Sequence, residues 1–137
     1  MPRLHATTIA IDGQGVLIEG PSGAGKSDLA LRLIDRGAQL VSDDYTEVQR
    51  SGDALVATAP ATIMGRMEVR GIGIVDMLGA GPTPVALIVE LSGEVPRLPE
   101  PRYRDIDGVT IAAVTLDAFT ASAPIKVELA LRRGLPA

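Results

Sequence analysis

The 137-residue chain contains no cysteine, no asparagine, no tryptophan and only one histidine. Without cysteine it can form neither a disulfide nor a thiolate metal site. Aromatic residues make up only 2% of the chain, so we expect a core of aliphatic side chains, which is typical of parallel strands packed by helices. The formal charge of −4 disfavours nucleic-acid binding, because recognition of a phosphate backbone needs a clustered basic face.

Long hydrophobic runs are also missing. The longest apolar stretch, residues 85–89, is far shorter than the roughly 20 residues that a membrane-spanning helix needs. No charged-then-apolar signal segment opens the chain. We therefore expect no membrane contact and a cytoplasmic location. The length suits one compact domain over residues 1–137.

A glycine-rich loop at residues 20–27 (GPSGAGKS) meets the pattern G-x-x-x-x-G-K-[ST] in full. It follows a strand predicted over 15–19 and precedes a helix predicted over 26–36, which is the context that the motif requires. The alternative is a glycine-rich turn that only caps an ordinary helix. The predicted nucleotide-binding residues are Gly20, Pro21, Ser22, Gly23, Ala24, Gly25, Lys26 and Ser27.

Each part of this loop has a chemical purpose in phosphate binding. Backbone N–H groups and the start of the helix offer partial positive charge to an anion. Lys26 can reach the β and γ phosphates, and the Ser27 hydroxyl can ligate Mg²⁺. The N–H groups expected to face the phosphates are those of Gly23, Ala24, Gly25 and Lys26.

Short apolar segments and turn residues predict the remaining elements. We expect a paired set of short strands around Ser51-Gly52, and 67–76 carries two glycines that exclude a good helix. Residues 93–108 contain three prolines and are predicted to be a mobile loop. Further strands are predicted over 4–11, 39–42, 84–91 and 109–116, and a closing helix over 124–133 with Gly134 at its end. The pattern indicates an α/β fold, a P-loop nucleotide-binding domain with a mixed central sheet and flanking helices.

Asp43 and Asp44 end the strand that follows the P-loop helix. Carboxylates at that place can face the γ-phosphate, one holding Mg²⁺ through water and the other accepting a proton. The alternative interpretation is an Asx turn, where aspartate is common. His5 is predicted to lie in a strand, where a lone histidine is more often structural than catalytic.

Three arginines share the proline-rich segment: Arg97, Arg102 and Arg104. Any of them could cover a transferring phosphoryl group, although arginines that only face solvent are commoner. The segment 67–76 (MEVRGIGIVD) places three charged residues among glycines. From the residues alone, a site and an ordinary surface strand are equally compatible with that pattern.

Together, these stretches resemble the HPr kinase/phosphorylase family, whose members phosphorylate a serine of the phosphocarrier protein HPr. The matching stretches are His5, GVLIEGPSGAGKSDLALRLIDRG, LVSDD and MEVRGIGIVD. The likeness is good over residues 4–76 and weaker beyond them. The resemblance implies a PEP-carboxykinase-like variant of the P-loop fold, ATP and Mg²⁺ as cofactors, an HPr-like protein as partner, and a hexamer.

The resemblance also implies roles for single residues. Lys26 and Ser27 match the family's phosphate-binding lysine and Mg²⁺-binding serine, and Glu68 matches a carboxylate assigned to the metal. Asp44 best matches the base that takes the proton from the acceptor serine, with Asp43 beside it near the metal. His5 matches the histidine of the family's catalytic region, and Arg97 best matches its later catalytic arginine.

Two features depart from the family pattern. The likeness to the catalytic domain begins near the start of the sequence, so we expect the chain to resemble the family's short form. Residues 117–122 (DAFTAS) stand where the family has a Pro- and Arg-containing segment tied to dephosphorylation. We therefore predict a kinase in which phosphorolytic dephosphorylation of HPr is weak or missing.

Two other functions stay open from the sequence. A small-molecule P-loop kinase usually needs an arginine-bearing lid, which only residues 96–104 could supply. A nucleotide-sensing module without turnover is disfavoured by Asp43 and Asp44, since pure binding needs no base. A regulatory GTPase is disfavoured further, because its guanine-reading motif N-K-x-D begins with asparagine and the chain has none.

Overall fold

The computed structural model describes residues 2–133, which form eleven strands and two helices. The strands are β1 Arg3–Leu4, β2 Ala6–Ile11, β3 Gln14–Glu19, β4 Gln39–Ser42, β5 Thr46–Ser51, β6 Ala54–Thr58, β7 Arg66–Val69, β8 Gly73–Asp76, β9 Thr83–Leu91, β10 Arg102–Ile106 and β11 Val109–Leu116. The helices are α1 Lys26–Asp35 and α2 Ala123–Arg132. None of the helices in this part of the chain is long and apolar enough to cross a membrane.

Nine of the strands form one mixed sheet. Strands β3, β9 and β11 run parallel to one another, and β2 lies antiparallel between β3 and β4. The carboxyl ends of β4, β3, β9 and β11 therefore meet at one edge of the sheet. Ligands of open α/β sheets bind at that edge, and the loop of residues 20–27 begins there.

Two hydrophobic clusters fill the two faces of the sheet. Helices α1 and α2 cover one face, and α1 buries Leu29, Ala30 and Leu33 completely, as its apolar spacing predicts. Strands β5 and β6 curl over the other face. The aliphatic core that the scarcity of aromatics predicts is confirmed by the largest fully buried side chains, all of which are Ile, Leu, Val or Met.

Two predictions about the elements are wrong. The second half of the predicted loop 93–108 is a strand, β10, which pairs with β11 across Asp107 and Gly108. Both turn residues have positive φ angles, 53° and 82°, which is the hairpin geometry that an Asp-Gly pair favours; the prolines precede the strand. The strand predicted over 4–11 is interrupted at His5, which lies between β1 and β2. The predicted helix end at Gly134 lies outside the described residues.

Candidate phosphate-binding loop and carboxylate site

The P-loop leaves the carboxyl end of β3 and enters α1 at Lys26. Gly23 and Gly25 have φ angles of 85° and 95°, a conformation that L side chains adopt only with strain. Gly25 occupies the N-cap position of α1. The glycine pattern therefore follows from the backbone path, and that path leaves the amino-terminal end of α1 open to an anion.

The Lys26 side chain lies inside this loop and is only 7% exposed. Its ammonium group donates hydrogen bonds to the carbonyl oxygens of Gly20, at 2.7 Å, and Pro21, at 3.2 Å. The N–H of Ala24 donates to the Pro21 carbonyl at 3.0 Å. In this conformation the Ala24 N–H therefore closes the turn, and its contact with a phosphate stays a prediction.

Asp43 follows β4 and is 8% exposed. Its Oδ1 accepts hydrogen bonds from the Ser27 hydroxyl, at 2.7 Å, and from the Thr7 hydroxyl, at 3.2 Å. Its Oδ2 accepts one from the backbone N–H of Glu68, at 3.2 Å. The carboxylate is therefore fixed directly beside the serine that ends the P-loop motif.

This pair of oxygen ligands fits Mg²⁺, which is usually held by one or two protein groups together with waters and substrate phosphates. Within residues 2–133, no group of three or more His, Cys, Asp or Glu could hold a metal ion alone. Ser27 and Asp43 therefore suit a metal ion that arrives with a phosphate ligand.

Asp44 points away from this buried group, and its side chain is 56% exposed. Its φ angle is 71°, a left-handed conformation in which aspartate and asparagine are enriched among non-glycine residues. Its Oδ1 lies 2.9 Å from Nε2 of His5, which must donate because an ionised carboxylate only accepts. The His5 ring stacks on Tyr45 with centroids 5.1 Å apart, and this contact orients the histidine.

Sequence reasoning missed Thr7, which connects the carboxylate of Asp43 to the backbone of Asp44. Its hydroxyl donates to Asp43 Oδ1 at 3.2 Å and accepts from the N–H of Asp44 at 3.1 Å. The feature of the sequence that could have indicated this role is the pair Thr7-Thr8 in the otherwise apolar strand β2, because buried hydroxyl groups need hydrogen-bond partners. Both threonines are fully buried.

The β7–β8 hairpin brings Glu68 to this site through its backbone. The N–H of Glu68 is bonded to Asp43, as above, while the residue itself is exposed at the surface of the two-stranded sheet. The segment MEVRGIGIVD therefore contacts the carboxylate of Asp43, which lies 25 residues earlier in the chain.

Two of the three loop arginines are paired with carboxylates of the sheet. Arg104 lies on β10 and binds both Glu19 and Glu90, the latter at 3.2 Å; the hydrogen bond with Glu19 raises the pKa of Arg104 above its usual value. Arg102 binds Glu90 at 2.7 Å. The expectation that these two residues lie in a loop is wrong, because both belong to β10, and their guanidinium groups are bound by carboxylates. Arg97 is exposed in the segment before β10.

A glycine-rich loop between a strand and a helix, with a carboxylate at the end of a nearby strand, defines a P-loop phosphate-binding domain. The family model described as the HPr Serine kinase C-terminal domain matches residues 1–83, which is more than half of the chain. The chain belongs to this family of HPr serine kinase C-terminal domains, and kinases of this kind use a nucleotide and a metal ion.

Relatives with curated names agree with this membership. The HPr kinase/phosphorylase of an Exiguobacterium species is 46% identical over 66% of this chain and 32% of its own length. The HPr kinase/phosphorylase of Limosilactobacillus reuteri is 40% identical over 85% of this chain and 41% of its own. The chain therefore spans less than half the length of these relatives.

A solved structure shows the same fold. The Hpr(Ser) kinase/phosphatase from Coxiella burnetii superposes with a TM-score of 0.84 and 29% sequence identity, over 97% of this chain and 95% of that chain. The predicted fold class, an α/β P-loop kinase domain with a mixed sheet, is thereby confirmed.

Proposed function

We propose that this chain is an ATP-dependent protein kinase that phosphorylates a serine of an HPr-like phosphocarrier protein. The observation that carries the proposal is the exposed carboxylate of Asp44, which His5 binds. The backbone N–H of the same residue is connected through Thr7 and Asp43 to Ser27 of the P-loop. A phosphate-binding loop alone would support only nucleotide binding. A base beside that loop supports transfer to a hydroxyl group.

In this proposal the P-loop and Lys26 hold the β and γ phosphates of ATP. Lys26 exchanges its carbonyl partners for phosphate oxygens, to which a cation binds more strongly. Ser27 and Asp43 would hold Mg²⁺. The carboxylate of Glu68, a residue whose backbone N–H binds Asp43, is the further ligand proposed for the metal ion. The metal ion supplies charge neutralisation on the phosphates. Because ATP and Mg²⁺ are cytoplasmic, the proposed activity places the protein in the cytoplasm.

Asp44 is the proposed base. It accepts the proton of the acceptor serine as the serine oxygen bonds to the γ-phosphorus and the bond to the bridging oxygen of ADP breaks. His5 binds Oδ1 of Asp44, so it fixes the carboxylate and leaves Oδ2 for the acceptor. Arg97 is the arginine proposed to bind the transferring phosphoryl group, which it would contact when the acceptor protein binds.

The test is incubation with radiolabelled ATP, Mg²⁺ and the host's small phosphocarrier protein. We expect label on a serine of that protein, and no label with Lys26→Ala. Two results would contradict the proposal. Binding of ATP without transfer to any acceptor would indicate a nucleotide-sensing module. Transfer to a small hydroxyl compound but not to the protein would indicate a small-molecule kinase.

A further inference from the structure

The only phenylalanine of the chain lies against the P-loop. Phe119 follows β11 and is 72% exposed. A Cβ placed on Gly25 would lie 3.4 Å from Cε1 and 3.5 Å from Cζ of its ring. One edge of the ring therefore contacts the loop while most of the ring faces solvent, which is unfavourable for so large an apolar side chain.

The turn that carries this ring is held in place by α1. Arg32 donates hydrogen bonds to the carbonyl oxygens of Ala118 and, at 3.2 Å, Thr120. The N–H of Phe119 donates to Oδ1 of Asp117 at 2.9 Å. Ala118 is almost fully buried. The ring is thus presented to the P-loop by an ordered turn, which lowers the entropic cost of binding against it.

The sheet order indicates what occupies the space next to this ring. Strands lie in the order β4, β2, β3, β9 and β11, so Asp44 after β4 and Phe119 after β11 lie on opposite sides of the P-loop strand β3. If the γ-phosphate faces Asp44, the rest of the nucleotide leaves the loop on the other side. That side is the one on which Phe119 is exposed.

We propose that Phe119 is the platform on which the base of the bound nucleotide stacks. The proposal rests on the proposed function, since it takes the γ-phosphate to face Asp44. Stacking on an aromatic side chain uses the π-face that every base has. The ring therefore contributes affinity for the nucleoside half of ATP, and nothing for its phosphates.

Calorimetric titration with Mg²⁺ present tests this with two probes, ATP and inorganic tripolyphosphate, which lacks the base. We expect Phe119→Ala to weaken ATP binding by about tenfold, within a range of roughly 5- to 150-fold, and to leave tripolyphosphate binding unchanged. Phe119→Tyr is expected to bind ATP like the wild type, and Phe119→Leu to lie between the two.

The matched control is Tyr103→Ala. Tyr103 is an exposed aromatic residue on β10. Along the strand direction it lies level with Ala112, Leu87 and Val16, before the carboxyl ends of their strands. It is therefore remote from the edge that carries the P-loop. We expect this variant to bind both ATP and tripolyphosphate like the wild type.

The contact between the Phe119 ring and the base can be observed directly by NMR, because the chain has a single phenylalanine. Protein labelled with ¹³C in the phenylalanine ring gives one set of ring signals by NMR. ATP should shift these signals upfield and give nuclear Overhauser contacts from the ring to the base protons, and tripolyphosphate should give neither.

Three results would overturn the proposal that Phe119 is the stacking platform. Unchanged ATP affinity in Phe119→Ala, with tripolyphosphate bound normally, refutes the stacking and leaves the proposed kinase intact. Equal loss of both probes means that the ring only supports the loop. Failure of the wild type to bind either probe overturns the proposed function together with the platform.

Discussion

Replacing Thr7 by valine removes one hydroxyl group and nearly preserves the shape of the side chain. Thr7 is fully buried, and its hydroxyl makes two hydrogen bonds, one to the carboxylate of Asp43 and one from the N–H of Asp44. The hydrogen bond to the charged group is worth about 1.5–3 kcal/mol, and the N–H left without its partner costs about 1–3 kcal/mol. Because Asp44 is partly exposed and water can reach it, we expect a total loss near the lower end, about 2–3 kcal/mol.

The free energy of unfolding is measured by urea titration, and kcat by transfer of phosphate to the phosphocarrier protein. We expect kcat to fall with stability, because the Asp44 backbone loses the contact that fixes the base. The matched control is Thr8→Val, since Thr8 is equally buried but bonds to the hydroxyl of Thr46 at 2.8 Å. That variant should lose stability and keep its kcat. Full wild-type kcat in Thr7→Val at saturating ATP and acceptor would refute the reasoning.

The other predictions concern the same site. Asp44→Asn keeps the left-handed backbone, to which asparagine is suited, and should bind ATP·Mg²⁺ normally while transferring phosphate at least roughly 100-fold more slowly; if single-turnover assays show this only for Asp43→Asn, the two roles are reversed. Lys26→Ala should abolish transfer, because an uncompensated γ-phosphate raises the barrier by several kcal/mol, and retention of more than about a tenth of the activity contradicts the site. Serine-phosphorylated HPr with excess phosphate should release little pyrophosphate, since residues 117–122 lack Pro and Arg; release as fast as the forward reaction would show that this segment is dispensable.

The sequence by itself determined the parts of the site that depend on near neighbours in the chain. The P-loop, the helix after it and the buried face of that helix follow from a glycine pattern and an apolar spacing within residues 15–36. The position of Asp43 and Asp44 at a strand end follows in the same way. Short-range rules of backbone conformation and periodicity are sufficient for such features.

Only the tertiary structure decided which contacts separate the two aspartates. They are adjacent and identical in type, yet one accepts from Ser27 and Thr7 while the other binds His5. The left-handed backbone at Asp44 turns its side chain outward, and the partners Thr7 and His5 lie 36 and 39 residues away in the chain.

Two other features that the sequence did not predict also depend on contacts between distant segments. Strand β10 exists because β11 offers it a partner, and neither the prolines before it nor the composition of 93–108 reports that partner. Phe119 meets Gly25 because α1 and the turn after β11 pack together at one edge of the sheet. Local sequence specifies which conformations a segment prefers, but contacts between distant segments are set by the packing of the whole sheet and its helices.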